Sequence, residues 1–261
     1  MNKESNKIYK FLYIFGNGDF VMNILSFDTS TKAASVALLK ENELVGEVFI
    51  NDKRTHSQKL MPMVESLFNL ADITMDEIDL LAVCVGPGSF TGLRIAMATV
   101  KAMAHAKDIK IVAVDSLESL AFNVCDSEKK IIPVLDAQGK KLYTASYRAS
   151  EGSVERIDEI EVIEIEGLLK RIEESSEKVI VLGEGVDKIG ERVLSEKIEV
   201  PSPDKNISKA SSVACIAKEK YEKGIDIHSC YDIVPMYIRK SQAEMQYEEK
   251  QRKLRENGEN K

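Results

Sequence analysis

Leu81–Ala104 reads LAVCVGPGSFTGLRIAMATVKAMA. An apolar run, Leu81–Val85, enters a turn made of Gly86, Pro87, Gly88, Ser89, Thr91 and Gly92. A helical pattern follows, with Ala96, Ala98, Ala102 and Ala104 along it. A strand without apolar/polar alternation is one buried on both faces. Strand, turn and helix in this order place the chain in the α/β class. Backbone N–H groups at a helix start attract anions. This turn lacks the Lys-Ser/Thr pair of a P-loop, and its third glycine comes one residue late for G-x-G-x-x-G. Two readings are therefore open. Gly88, Ser89 and Thr91 hold an anion, or Ser89 or Thr91 caps the helix and the turn only aims it. Arg94 fits both, by supporting a phosphate or by bonding the turn carbonyls.

Upstream of the turn the period is two. NILSFD, AASVALLKEN and ELVGEVFIN read as an antiparallel meander. THSQKLMPMVESLFNLAD then turns helical, with Leu60, Met63, Val64, Leu67 and Leu70 on one face. Pro62 is tolerated only near the start of that helix. Downstream, KIVAVD is a strand and SLESLAFNVC a helix. The order βββ-α-β-α-β-α predicts a mixed sheet flanked by helices. A second set follows, with strands KIIPVLDAQ, KLYTASYRA and VERIDEIEVI, helix EIEGLLKRIEESSE, strand KVIVLGEG and short helix VDKIGERVL. A strand ending in an acid, Asp28 or Asp136, opens each set. The expected division is a first lobe over 22–125 and a second over 126–206. A helix at about 207–224 returns to the first lobe, and 241–261 forms a flexible tail. Residues 1–21 read as an extension, which makes Met22 the expected functional start.

Composition bounds the function. The chain has 261 residues, 44% hydrophobic and 30% charged, with a net charge of −7. No apolar run approaches the ~20 residues of a membrane span. The four cysteines form no C-x-x-C pair, so they read as reduced thiols of a cytoplasmic protein. Between Glu151 and Val200 there are fifteen Asp/Glu against seven Lys/Arg, a balance of −8. That surface repels nucleic acid, and no basic stripe with interleaved aromatics appears elsewhere.

ILSFDTSTKAASVALL, THSQKLMPMVESLF, VCVGPGSFTGLRIAMATVKAMA, VDSLESLA and PMYIRKSQAE together resemble the TsaB (YeaZ) family, from about Met22 to Glu244. The Gly86–Arg94 block is shared with the paralogous TsaD/Kae1 family. The resemblance implies a two-lobed actin-like, Hsp70-like ATPase (ASKHA) fold. It implies a non-catalytic subunit for threonylcarbamoyladenosine formation on tRNA, with TsaD as heterodimer partner and the ATPase TsaE joining. The lone chain is expected as a homodimer, with tRNA met only inside the complex.

Against that family background, the helix start of TsaD carries H-x-x-x-H, and two imidazoles one turn apart hold a metal. Here His56 is followed by Leu60, which ligates nothing, so no metal site and no catalytic residue are expected. Asp28 and Asp136 correspond to acids that organise magnesium in active members of the superfamily. DAQGK has Gln138-Gly139 where arginines stand in the family, which weakens an anion grip there. Gly183, in VLGEGV, resembles the adenosine-side turn. Asp28, Gly88, Ser89, Thr91 and Gly183 are the candidates for a weak ATP or ADP contact, with buried acids bonding turn amides as the competing reading. The expected partner surface joins Met61, Val64 and Phe68 on one helix to Arg94, Met97 and Lys101 on the next. The alternative function is a nucleotide-dependent transferase or glycoprotease-like hydrolase of the same superfamily.

Overall fold

The computed structural model describes residues 22–52 and 56–239; the expected extension over 1–21 and the expected tail over 241–261 lie outside them. In chain order the first set is β1 (Ile24–Asp28), β2 (Ala34–Lys40), β3 (Glu43–Ile50), α1 (His56–Ala71), β4 (Leu80–Gly86), α2 (Phe90–Lys107), β5 (Lys110–Asp115) and α3 (Ser116–Phe122). The second is β6 (Lys130–Asp136), β7 (Lys141–Thr144), β8 (Tyr147–Ser150), β9 (Ser153–Arg156), β10 (Glu161–Glu164), α4 (Ile165–Glu174), β11 (Val179–Leu182), α5 (Val186–Ile189) and β12 (Ile198–Glu199). α6 (Ala210–Glu222) and β13 (Ile227–His228) follow and return to the first sheet.

The first sheet has the order β13-β5-β4-β1-β2-β3. β1, β4 and β5 run parallel, while β2 and β3 return antiparallel. Successive side chains of β1 point to opposite faces. Leu25 and Phe27 enter a core with Leu60, Met63, Val64 and Leu67 of α1 and Ala96, Met97 and Val100 of α2. Ile24 enters a second core with Val213, Ala214 and Ala217 of α6. β1, β2 and β4 are buried along their length because both faces are covered, which corrects the period-two expectation for β1 and β2, while β3 at the edge is exposed to half-buried. α6 packs on β1, β2, β4 and β5 of this sheet although it comes last in sequence.

Four expected details change. Leu70 is 82% exposed, because the register of α1 carries it past the core face. Pro62 is the seventh residue of α1, not near its first turn. KLYTASYRA is two strands, since β7 pairs with the end of β6 and β8 with its start. VERIDEIEVI also splits: Ser146 N–H donates to Asp158 (2.6 Å) and Ile157 N–H to Ser146 O (2.7 Å), which turns the chain between β9 and β10.

The second sheet follows β10-β7-β6-β11-β12, with β8 and β9 alongside. α4 buries Ile165, Leu168 and Ile172 against it. α3 stands at the junction. Its Leu117, Leu120 and Ala121 pack with Leu135, Tyr143 and Ile180 of the second sheet.

Candidate functional site

The turn after β4 lies on the turn after β1. Ser89 N–H donates to Ser30 O at 2.7 Å, and Thr29 Oγ1 donates to Gly92 O at 2.8 Å. Ser89 is the N-cap of α2, its Oγ accepting from Gly92 N–H at 3.2 Å. A Cβ on Gly88 would stand 2.2 Å from Ser30 O, and one on Gly92 1.9 Å from Thr29 O. The glycines are there so that two backbones can touch. Thr91 is exposed and takes no part in the cap.

Asp28 lies beneath that contact, 1% exposed. Its Oδ1 accepts from Ser30 N–H (2.8 Å) and Ser30 Oγ (2.7 Å), while Oδ2 has no hydrogen-bond partner among the described residues. Burial pushes its carboxyl above the usual range. Across the cleft, Gly183 N–H donates to Asn206 Oδ1 at 2.5 Å, and a Cβ there would meet Val134 O at 2.4 Å. Burial pushes the neighbouring Glu184 carboxyl up, against the pull of the Lys32 and Asp136 backbone N–H groups. Asp136 accepts from Gln138 N–H at 2.5 Å and pairs with Lys188. So the N–H groups of Ser89, Gly92 and Gly183 are bonded within the chain. Of the two readings of the Gly86–Gly92 turn, this geometry favours aiming the helix.

His56 opens α1. Its Nε2 lies 3.0 Å from Thr31 O, so that nitrogen carries the hydrogen and donates. Nδ1 is buried without a partner among the described residues, and burial pushes the imidazole pKa down. One turn on, Leu60 is 1% exposed inside the first core. Burying a leucine contributes about 2 kcal/mol, so Leu60 is a packing residue. Among the described residues no group of three or more His, Cys, Asp or Glu is placed to hold a metal ion.

The two helices divide the expected partner residues. Met61 is 49% exposed and Phe68 half-buried, along the outer side of α1. Val64 (3%) and Met97 (5%) face the first core and cannot meet a partner without unpacking it, which removes them from the surface. Arg94 and Lys101 do lie on the outside of α2, but the chain itself holds them. Lys101 Nζ donates to Ile233 O at 2.9 Å, and Arg94 Nε to the Tyr237 hydroxyl at 3.0 Å. Tyr237 stacks on Phe90, ring centroids 4.2 Å apart, with the Arg94 guanidinium within 6 Å of both rings, at 5.3 and 5.7 Å. A strap over 229–239 therefore runs along α2, fastened where Met236 N–H donates to Val85 O at 2.7 Å. The sequence reading missed the strap. Its only trace was the aromatic and basic run PMYIRK, which has no periodicity. The apolar side chains left open are Met61 and Phe68 on one side of α1 and Ala98 and Ala102 on α2, while Leu70 projects from the opposite side of α1.

The TsaD family model, described as tRNA N6-adenosine threonylcarbamoyltransferase, matches residues 43–247. The tRNA threonylcarbamoyladenosine biosynthesis protein TsaB of Bacillus subtilis is 32% identical over 88% of this chain and 100% of its own length. Its Escherichia coli namesake is 29% identical over 63% of this chain and 72% of its own. The solved structure of YeaZ from Pseudomonas aeruginosa superposes with a TM-score of 0.71 at 25% identity, covering 83% of this chain and 100% of that one. The two-sheet α/β architecture is that of this YeaZ structure. A full-length relative and a structural neighbour of the same kind converge on one assignment: the chain belongs to the TsaB (YeaZ) family.

Proposed function

We propose that the chain works in tRNA threonylcarbamoyladenosine biosynthesis as an accessory subunit, which docks on a TsaD-type transferase and makes it competent. The observation that carries the reading is Leu60. It is buried in the first core at the position where the resemblance implies a second imidazole in the metalloenzyme. His56 is likewise engaged with the Thr31 carbonyl. The partner performs the threonylcarbamoyl transfer, and the cytoplasm is where both meet tRNA.

The docking surface is the open face of α1 and α2, centred on Met61 and Phe68, which lie seven residues apart on one side of α1. Small residues such as Ala98 and Ala102 let a partner helix approach closely. Stable pairs bury roughly 1,600 Å² around apolar anchors. Alone, the chain covers the same face with a second copy. TsaE joins only the assembled pair. The lone chain turns over no nucleotide, a reading supported by the Ser89, Gly92 and Gly183 amides being already bonded within the chain. Calorimetry with ATP and ADP checks that part.

The test is co-purification with TsaD, followed by a tRNA modification assay with and without this chain. The expected result is a stable pair and modification only when both are present. Met61→Glu should weaken the pair and leave the monomer folded, since Met61 is half exposed. Modification of tRNA by this chain alone, or a Met61→Glu variant that pairs as tightly as the parent, overturns the reading.

A further inference from the structure

A cavity of about 580 Å³ lies beyond the C-terminal ends of the parallel strands β4 and β5, one strand over from the covered Asp28 turn. In parallel sheets this crevice is where ligands bind. The first lobe provides Asp115 and Lys220, and the β8–β9 hairpin of the second provides Tyr147 and Arg156.

The polar groups differ in how fully they are used. Lys220 is saturated, donating to Glu118 at 2.8 Å, Asp226 at 3.1 Å and Ala113 O at 3.4 Å. Asp115 Oδ1 is also occupied, by Glu118 N–H at 2.7 Å and the Tyr147 hydroxyl at 3.3 Å. Asp115 Oδ2 and the Arg156 guanidinium, which also bonds the Tyr147 side chain, keep capacity to spare. They stand 3.6 Å apart, and the other carboxylate near Arg156 is Glu159 at 3.9 Å, both beyond a good hydrogen bond. One donor fork and one acceptor thus face the same space with capacity to spare. Beside them the wall is apolar: Ile225 and Val234 line the cavity while 47% and 68% exposed. Large apolar side chains left open next to a polar pair mark a binding site better than either feature alone.

We propose that this cavity binds a free α-amino acid, its carboxylate on the Arg156 guanidinium, its ammonium on Asp115 Oδ2, and its apolar side chain against Ile225 and Val234. A guanidinium takes a carboxylate through two parallel N–H bonds. An ammonium gives Asp115 Oδ2 a direct hydrogen-bond donor, which Arg156 at 3.6 Å is not. Burial pushes the Asp115 carboxyl up, and an added cation brings it back toward ionisation. A purely anionic ligand would face Asp115, Glu118 and Asp226, and a purely cationic one would displace Arg156 without using it. Because the site spans β5 of one lobe and β9 of the other, occupancy ties the lobes together.

The test is calorimetry and saturation-transfer NMR on the full chain with L-leucine as the probe. 4-Methylpentanoate, which lacks the ammonium, and 3-methylbutylamine, which lacks the carboxylate, are the controls. Leucine should bind at about 1 mM or tighter, with each control weaker by about tenfold or more. Arg156→Gln should weaken leucine by a similar factor at an unchanged melting temperature. If that variant fails to fold, Val234→Ser, at an exposed wall position, should lower affinity a few-fold. No leucine binding at several millimolar overturns the site. So do controls that bind as well as leucine, or leucine affinity that both variants leave unchanged.

Discussion

The two lobes share one topology, yet they end their first strands differently. The strand orders β3-β2-β1-β4-β5 and β10-β7-β6-β11-β12 correspond position by position. In each, the central strand closes on an acid. Asp28 is sealed under a backbone-to-backbone contact, whereas Asp136 is half-buried and held by Lys188. The cause lies in the loop after the second parallel strand. In the first lobe it carries Gly88 and Gly92, which let it settle onto the Ser30 turn. In the second, Gly183 and Gly185 press instead on Val134, inside their own sheet. Both sheets are covered on both faces, the first by α1 and α2 on one side and α6 on the other, the second by α4 and α3. The duplicated framework thus differs in a sealed acid in the first lobe and a more exposed acid with a more acidic surface in the second.

The sharpest way to break this comparison is to add a methyl group to one glycine of each lobe. Gly92→Ala places a Cβ 1.9 Å from a backbone oxygen that no side-chain motion relieves. The expected loss is about 4 kcal/mol or more, read as a shifted denaturant midpoint or failure to fold. Gly139→Ala meets nothing within 4 Å, and only its φ of +59° opposes the change. There the loss should be about 1 kcal/mol.

Met97→Glu comes next. It puts a carboxylate into the first core, where Met97 is 5% exposed, and should cost about 3 kcal/mol. Met61→Glu, on the neighbouring helix but half exposed, should cost less than about 0.5 kcal/mol. Equal melting temperatures for the two variants would refute the division of the helices into core and surface sides.

Asp28 gives a pH prediction that Asn tests. Its folded pKa is raised, so between the unfolded value, about 3.9, and the folded value the native state binds more protons than the unfolded one. Stability from this group therefore falls as pH rises through that window. The fall amounts to about 1.4 kcal/mol for each tenfold weakening of the acid that burial has caused. Asp28→Asn should flatten the slope measured by denaturant unfolding from pH 4 upward. A parallel slope in parent and variant would mean that Asp28 is ionised in the folded protein.

The smallest effect belongs to the strap. Tyr237→Ala removes the stack on Phe90 and the Arg94 hydrogen bond, and should cost about 1 kcal/mol. Hydrogen exchange should rise at the first turn of α2 and leave α4 unchanged. Equal change in both helices would show that the strap is not a local fastening.

Much of the fold was legible because its signals are local. β1, β2 and β3 could be located as strands between turn residues, though β1 and β2 are buried on both faces and not on alternate residues, and α1 could be read from Leu60, Met63, Val64 and Leu67. Asp28 and Asp136 were found as strand-ending acids, and Leu60 told against a paired-imidazole site. The side of a helix that faces a partner was not legible in the same way. Val64 and Met97 have the composition of surface anchors, and only the packing of α1 and α2 on the sheet put them inside. Leu70 went the other way, because the core stripe ends one turn before the helix does. The breaks within KLYTASYRA and VERIDEIEVI depend on which part of β6 each strand pairs with, a non-local choice.

From its residues alone the chain was committed to an α/β framework of two similar halves, because side-chain period and turn chemistry act over a few positions. Its tertiary contacts decided that Asp28 is sealed, that a C-terminal strap holds Arg94 and Lys101, and that Asp115 and Arg156 face one cavity. Those outcomes join groups as far as 143 positions apart, and no local pattern encodes a distance across the folded sheet.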